Sequence, residues 1–261
     1  MIITKIQGGL GNQMFQYAYG RYLSEKFEMK LLIDKKFYEQ NLSPKRYFLL
    51  NYFDGIDLDF DFDSIPKDMK IFRIDDNFKF KELENLDKNF GYYFFGYWQS
   101  EKYFIDSEKL IRNSFRAKPE TVEKLSKISE LNSNSVSLHI RRTDYLTSNG
   151  YHPVQTIEYY KNALNLIGDY DNLFIFSDDI DWCKSNLNFK NMIFRENNSE
   201  IEDLFLMSYC KNNIIANSTF SWWAAWLNDN KDKKVIAPAK WFGNEANLNE
   251  ENIIPASWIK I

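Results

Sequence analysis

The chain has only two cysteines in 261 residues, and Cys183 and Cys210 lack the short spacing of a metal or redox motif. A disulfide framework is therefore not expected, and both thiols are expected reduced in a cytoplasmic interior. Histidine is equally scarce: His139 and His152 are the only two and make neither an HxH nor an HExxH pattern, so a histidine zinc site finds no support. No apolar run approaches the ~20 residues that a membrane span needs, and the N-terminus enters a strand pattern at once, without a signal peptide. A basic surplus is missing as well: the net charge of −4 argues against nucleic acid as a partner. There is no Gly-x-Ser-x-Gly elbow, and neither cysteine has a histidine nearby in sequence, so hydrolase-type nucleophilic catalysis is unsupported. Internal repeats and low-complexity tracts are absent too. In a cytoplasmic chain the sequons at Asn197 and Asn217 carry no meaning.

What is present is an ordinary globular composition, 44% hydrophobic and 27% charged, long enough for one sizeable core or two modest ones. Aromatic residues reach 17%; they could form sugar-stacking surfaces, but core packing is the expectation. Met1–Ile6 reads as a strand, Gln7–Gly11 as a turn and Asn12–Phe27 as a helix, with Phe15, Ala18, Tyr22, Leu23 and Phe27 at helical spacing. Lys30–Asp34 restores a strand, giving a βαβ opening. Residues 51–89 resist assignment, and Phe90–Gln99 reads as strand and loop. A helix is expected from Pro119 to Leu131, and Asn132–Ser135 is the linker candidate. Beyond it, Val136–Ile140 alternates as a strand and Thr156 caps a helix. Leu173–Phe176 and Met192–Phe194 are strands, and Ser199–Glu202 fits a capping box. Asn213–Ala216 is a strand, Ser218 caps the helix Thr219–Asn228, and Lys234–Ala237 is the last clear strand. The pattern predicts two α/β domains, 1–131 and 135–261.

Chemistry concentrates at four places. The strand ending His139-Ile-Arg141-Arg142-Thr-Asp144 puts two planar cationic forks and a carboxylate at a carboxyl edge, where open α/β sheets bind ligands. An Arg–Asp salt bridge closing the strand end is the plain alternative. The turn Gly9-Leu-Gly11-Asn12-Gln13-Met14 has two glycines of a dinucleotide fingerprint, but Met14 fills the third position, and no Walker lysine follows. Such a turn can still hold an anion or a sugar hydroxyl at the helix start, or be turn chemistry alone. Ser218, Thr219, Phe220 and Ser221 open a helix with hydroxyls and free N–H donors suited to phosphate, or serve as a simple cap. Asp203, beside an apolar run, could accept from the paired N–H groups of a guanine edge, or simply favour its own helix dipole. Trp222, Trp223 and Trp226 are expected to pack. Asp178 and Asp179 end a strand and could serve a site or a cap. The alternation Asp57–Asp63 contains a DxD pattern of metal-dependent sugar transferases but reads better as a solvated strand face.

In order along nearly the whole chain, Gly8–Ala18, Phe95–Phe104, His139–Tyr145 and Ile215–Ala225 closely resemble the bacterial α-1,2-fucosyltransferases of glycosyltransferase family 11. The resemblance implies a GT-B-type fold of two Rossmann-like domains facing a cleft, the first on the acceptor side and the second binding donor. It implies inverting transfer of L-fucose from GDP-β-L-fucose to the 2-hydroxyl of a terminal galactoside, without a metal, in surface glycan or O-antigen synthesis. A similarity to α-1,6- and protein O-fucosyltransferases further implies that Arg141 grips the diphosphate and His139 lies beside the nucleotide. On the same ground Asn12 contacts phosphate or fucose, Ser218, Thr219 and Phe220 complete the pocket, and Asp203 reads guanine; Gly11, Gln13, Arg142 and Ser221 are expected around the substrate. Asp144 is the candidate base, or else it orients Arg142 while deprotonation is late or water-assisted. Thr143 departs from the glycine of many members, and the compact end at Ile261 leaves little room for the helix that crosses back in many such enzymes. The acceptor is expected to be a galactose-terminated oligosaccharide or lipid-linked glycan, met in the cytoplasm or at the inner membrane face. A transferase of another nucleotide deoxysugar, a metal-dependent transferase and a carbohydrate-binding module remain the alternatives.

Overall fold

The computed structural model describes residues 1–40, 45–56, 68–73, 79–148 and 150–261. The acidic DxD segment Asp57–Asp63 lies outside them. The chain divides into two units, Met1–Lys118 with Glu251–Ile253, and Pro119–Glu250 with Ile254–Ile261.

The first unit opens with β1 (Ile2–Lys5), α1 (Leu10–Lys26) and β2 (Leu31–Asp34). Strand β3 (Lys70–Arg73) falls within the stretch that periodicity left unassigned; β4 (Tyr92–Phe95) and α2 (Glu108–Ser114) follow. The four strands form a parallel sheet in the order β2-β1-β4-β3. Helix α1 starts two positions before the expected Asn12, because Gly9 adopts extended N-cap geometry. It lies hard against β1: a Cβ at Gly20 would come 2.2 Å from Thr4 Oγ1. The close helix–strand approach that a dinucleotide fold obtains from its third glycine is thus made at Gly20, and Met14 is left to fill core. Tyr19 packs edge-on against Phe94 and Tyr103, and Tyr17 against Phe115, so the aromatic surplus here is core.

The second unit runs α3 (Pro119–Ser126), β5 (Ser135–Ile140), α4 (Ile157–Ile167), β6 (Asn172–Ser177), α5 (Ile180–Asn186) and β7 (Met192–Phe194). It continues through α6 (Glu200–Tyr209), β8 (Asn212–Ile214), α7 (Thr219–Leu227), β9 (Val235–Ala237) and β10 (Ile259–Lys260). Helix α3 belongs here and stops at Ser126, which corrects both the boundary expected near Asn132 and the helix expected to reach Leu131. Past Ser126 the segment Lys-Ile-Ser-Glu-Leu is closed by turns at Lys127, Ile128 and Leu131 rather than by a further helical turn. The two-residue β10 is too short an edge strand to carry an alternation in the sequence. After Ala237, Asn252 accepts from Lys102 Nζ at 2.5 Å as part of the first unit, an excursion made without a long helix.

All six strands are parallel, in the order β10-β9-β8-β5-β6-β7. Counted from β5, this is the 3-2-1-4-5-6 order of the doubly wound fold. Val136, Leu138 and Ile140 enter one apolar cluster with Tyr160, Ala163 and Leu164 of α4. The intervening Ser137 and His139 are buried as well; Asn213 Nδ2 donates to Ser137 Oγ at 2.7 Å. The alternation therefore separates two covered faces, as a parallel sheet between helices requires. Trp222, Trp223 and Trp226 are buried; Trp222 and Trp226 stack, and Trp223 meets both edge-on.

Candidate active site

In a doubly wound sheet the strand order reverses at one place, and ligands bind outside the carboxyl ends there. Here the reversal falls between β5 and β8, so residues 141–145 and 215–218 frame it. One hydrogen bond ties these loops and a second ties β5 to α7 beneath them. Tyr145 Oη donates to the Asn217 carbonyl at 2.8 Å, and His139 Nδ1 meets Ser221 Oγ at 2.9 Å. Asn217 is itself buried, its amide donating to the Trp241 carbonyl, which fixes the floor of the reversal point.

The Arg141 guanidinium is held on two sides. Its Nε and Nη2 donate to Asp144 at 3.0 and 2.9 Å, and its Nε lies 3.3 Å from Asp178 Oδ2. Burial works against a charge here, yet Asp144 and Asp178 more than offset it and hold Arg141 cationic. Asp178 organises the whole loop: it accepts from the Arg142 N–H at 2.9 Å, the Thr143 N–H at 3.1 Å and the Thr143 hydroxyl. Burial would raise the Asp178 proton affinity, but Arg141 and these donors outweigh it and keep the group below the usual carboxylate range. Thr143, in place of a glycine, thus adds a donor to this loop. Arg142 turns away; it pairs with Asp179 at 3.1 Å and lies over the Trp182 ring at 3.7 Å. Arg142, expected near the substrate, here braces the Asp179–Trp182 N-cap of α5, which offers a flat, anionic seat.

His139 is buried, and desolvation together with Arg141 lowers its pKa to about 3, against the opposing pull of Asp178. It is a neutral hydrogen-bonding ring at working pH. Ser221, one turn into α7, faces the interior at 0% exposure, bonding His139 and approaching the Ser218 carbonyl. The expectation that Ser221 touches substrate is corrected: it positions His139. Ser218 occupies the N-cap of α7 but makes no side-chain capping bond, contrary to expectation. The first intrahelical bond runs from Trp222 N–H to Ser218 C=O, so the preceding N–H groups of Thr219, Phe220 and Ser221 lie outside the helical ladder. Ser218, Thr219 and Phe220 are partly exposed, and Phe220 packs edge-on to His139.

Asp203 sits in the first turn of α6 behind a complete capping box between Ser199 and Glu202. Its Oδ1 accepts from Asn198 Nδ2 at 2.8 Å. Burial raises its pKa to about 6, against the opposing Asn198 hydrogen bond and Arg195 charge. The folded value lies above the ordinary one, so the stability lost to this burial builds up as pH rises from the unfolded value to about 6, stays constant above that, and is nil below the unfolded value. Asp203→Asn is accordingly expected to raise stability at pH 8 by about 2 kcal/mol and to leave it unchanged below pH ~4. Urea midpoints at the two pH values test this; equal gains at both would refute the burial account.

In the first unit, Gly8 takes φ +83° and lets the chain turn into α1. Leu10 and Gly11 N–H precede the helical ladder, which begins with Asn12 and Gln13 N–H on Gly9 C=O. Asn12 is partly exposed and accepts from Gln99 Nε2 at 2.9 Å. Arg46, which no local sequence pattern singles out, approaches this turn: its Nη1 would lie 4.0 Å from a Cβ on Gly9. Gln13 is 0% exposed; it donates to the Tyr47 and Gly8 carbonyls and accepts from Leu49 N–H. It is a brace, which corrects the expectation of a substrate contact. Among the described residues, no group of three His, Cys, Asp or Glu side chains is placed to hold a metal ion.

The whole chain, residues 1–261, matches the model of the family described as glycosyl transferase family 11. It is 34% identical to the O-antigen biosynthesis glycosyltransferase WbnK of Escherichia coli, over 98% of this chain and 99% of that one. It is 35% identical to an alpha-1,2-colitosyltransferase of the same organism, over 100% and 99%. Among solved structures, fucosyltransferase NodZ from Bradyrhizobium superposes with a TM-score of 0.55 at 13% identity, covering 85% of this chain and 91% of that one. The NodZ α-1,6-fucosyltransferase co-crystallized with GDP gives 0.56 at 14%, covering 86% and 91%. At such identities the structural likeness speaks for the fold alone.

Proposed function

The chain belongs to glycosyltransferase family 11, and from that premise we propose that it moves L-fucose from GDP-β-L-fucose to the 2-hydroxyl of a terminal galactoside, with inversion and without a metal, in O-antigen assembly. The observation that carries the donor reading is the strand-order reversal itself, where Arg141 follows β5 and the start of α7 follows the neighbouring β8. A diphosphate needs a cationic field and N–H donors, and this place supplies both. NodZ has been solved with GDP-fucose and with GDP, which is consistent with a guanine nucleotide in this fold. The proposed roles give the donor to the second unit and the acceptor to the first, where Asn12 and the α1 start meet sugar or phosphate.

The chemistry follows from charge. The acceptor oxygen attacks the anomeric carbon from the face opposite the diphosphate as the bond from that carbon to the phosphate oxygen breaks. The bonding pair departs with GDP, where Arg141, the Ser218 hydroxyl and the N–H groups of the first turn of α7 take up the growing negative charge. The hydroxyl proton passes to Asp144, which loses the Arg141 fork when the diphosphate claims it. His139, neutral and fixed by Ser221, donates or accepts a hydrogen bond without changing charge.

A second reading keeps the reaction and changes the sugar. The 35% identity to a colitosyltransferase favours another GDP-deoxyhexose as donor. Products formed from GDP-fucose and GDP-colitose with a panel of galactosides, with EDTA present, separate the readings. An α-1,2-fucosylated product supports the first, a colitosylated one the second, and activity only on restoring Mn²⁺ overturns the metal-free mechanism. No helix among the described residues is long and apolar enough to cross a membrane. The proposed setting is the cytoplasm, with lipid-linked glycans reached at the inner membrane face.

A further inference from the structure

The turn from β7 to α6 carries a polar chain that the mechanism does not use. Arg195 stands just past β7, its N–H donating to the Ile175 carbonyl of β6 at 2.9 Å, so it is anchored at the carboxyl edge of the sheet. Its Nη2 donates to Asn198 Oδ1 at 3.4 Å, and its enclosed Nε has no protein acceptor among the described residues. Asn198 Nδ2 in turn donates to Asp203 Oδ1. The chain has a fixed direction. A guanidinium has donors only, so the Asn198 oxygen must face Arg195, and its NH₂ must then face Asp203. Asp203 is left with one oxygen engaged and the other without a partner among the described residues.

We propose that Asn198, its amide oriented by Arg195, is a positioning residue that aims the Asp203 carboxylate at the nucleobase of the donor. The inference rests on the guanine-nucleotide reading above. A carboxylate is a pure acceptor and complements the adjacent N–H and NH₂ donors of a guanine edge; once protonated it presents a hydrogen there instead. The Asn198 amide stabilises the acceptor form and fixes the side chain's rotation. The charged groups around Asp203 are few. Arg195 approaches from β7, Glu200 and Glu202 lie on its own helix, and Lys124 of α3 pairs with Glu202 at 2.7 Å. From α7 and β5, which also pack on α6, the only titratable side chain is His139.

The test is calorimetric titration of GDP, and of IDP as the analogue lacking the 2-amino donor, between pH 5 and 8. Wild type should bind GDP more tightly than IDP and lose GDP affinity as pH falls through about 6. Asn198→Ala should weaken GDP binding about tenfold at pH 7, narrow the GDP–IDP difference and move the fall in affinity to higher pH. Asn198→Asp, which sets a like charge beside Asp203, should do both more strongly. Arg195→Leu, which frees the amide to turn over, should act in the same direction and serves if an Asn198 variant does not fold. Variants with the wild-type affinity and the wild-type pH midpoint would overturn the proposal, since a merely structural role moves neither. Wild-type protein that ignores GDP at every pH would instead sink the donor reading itself.

Discussion

Arg141→Ala is expected to lower transfer by about 10²–10³-fold, equivalent to ~3–4 kcal/mol of transition-state stabilisation. The side chain follows β5 at the strand-order reversal, where the neighbouring β8 leads into α7, and the two carboxylates Asp144 and Asp178 hold it there. Removing it takes away the fixed positive charge that the proposed mechanism sets against the departing diphosphate, and leaves Asp178 with less compensation. Arg141→Lys keeps the charge but not the planar fork, so it should recover only part of the loss. Steady-state kinetics with GDP-fucose and the acceptor panel reads the effect. The deficit should appear in kcat as well as in donor KM, because the interaction strengthens as charge develops. An Arg141→Ala enzyme with near-native turnover would remove the mechanism's main electrostatic element.

The second large effect concerns Asp144. In the structure both its oxygens take the Arg141 fork, so it can serve as base only once the diphosphate competes for that fork. Asp144→Asn is expected to lower kcat about 10²-fold across the accessible pH range, in line with the usual contribution of a general base. Donor KM should change far less if the carboxylate acts on the acceptor proton. The alternative of an orienting role falls on Arg141 and not, as expected, on Arg142, which pairs with Asp179; its pattern is the reverse, a raised donor KM with kcat kept within about tenfold at every pH. The split between the two constants therefore decides the role.

Much of this architecture is legible in the residues. The capping box at Ser199–Glu202, the Thr156 cap and the β-branched alternation of β5 are local signals, and the structure returns each of them. The sites of the phosphate-binding candidates are legible for the same reason, since a cationic fork at a strand end and hydroxyls at a helix start are short-range patterns. What could not be read is which polar side chains face substrate and which face protein. Gln13 finds its partners at Tyr47 and Leu49, and Ser221 finds His139. Asp178 reaches back to Arg142 and Thr143 across 36 and 35 positions. Nothing local in a Gln, Ser or Asp announces so distant a partner. Strand β5 teaches the same lesson: Ser137 and His139 look like a solvent face, yet both are buried because helices cover both sides of the sheet.

The proposed mechanism requires guanosine diphosphate to be gripped at the carboxyl end of β5. Calorimetric titration of GDP into wild-type and Arg141→Ala protein, in EDTA and at matched salt, tests it most directly. The prediction is saturable one-to-one binding by the wild type, weakened at least about tenfold in the variant. Equal GDP affinity in the two proteins, or none in the wild type, would contradict it.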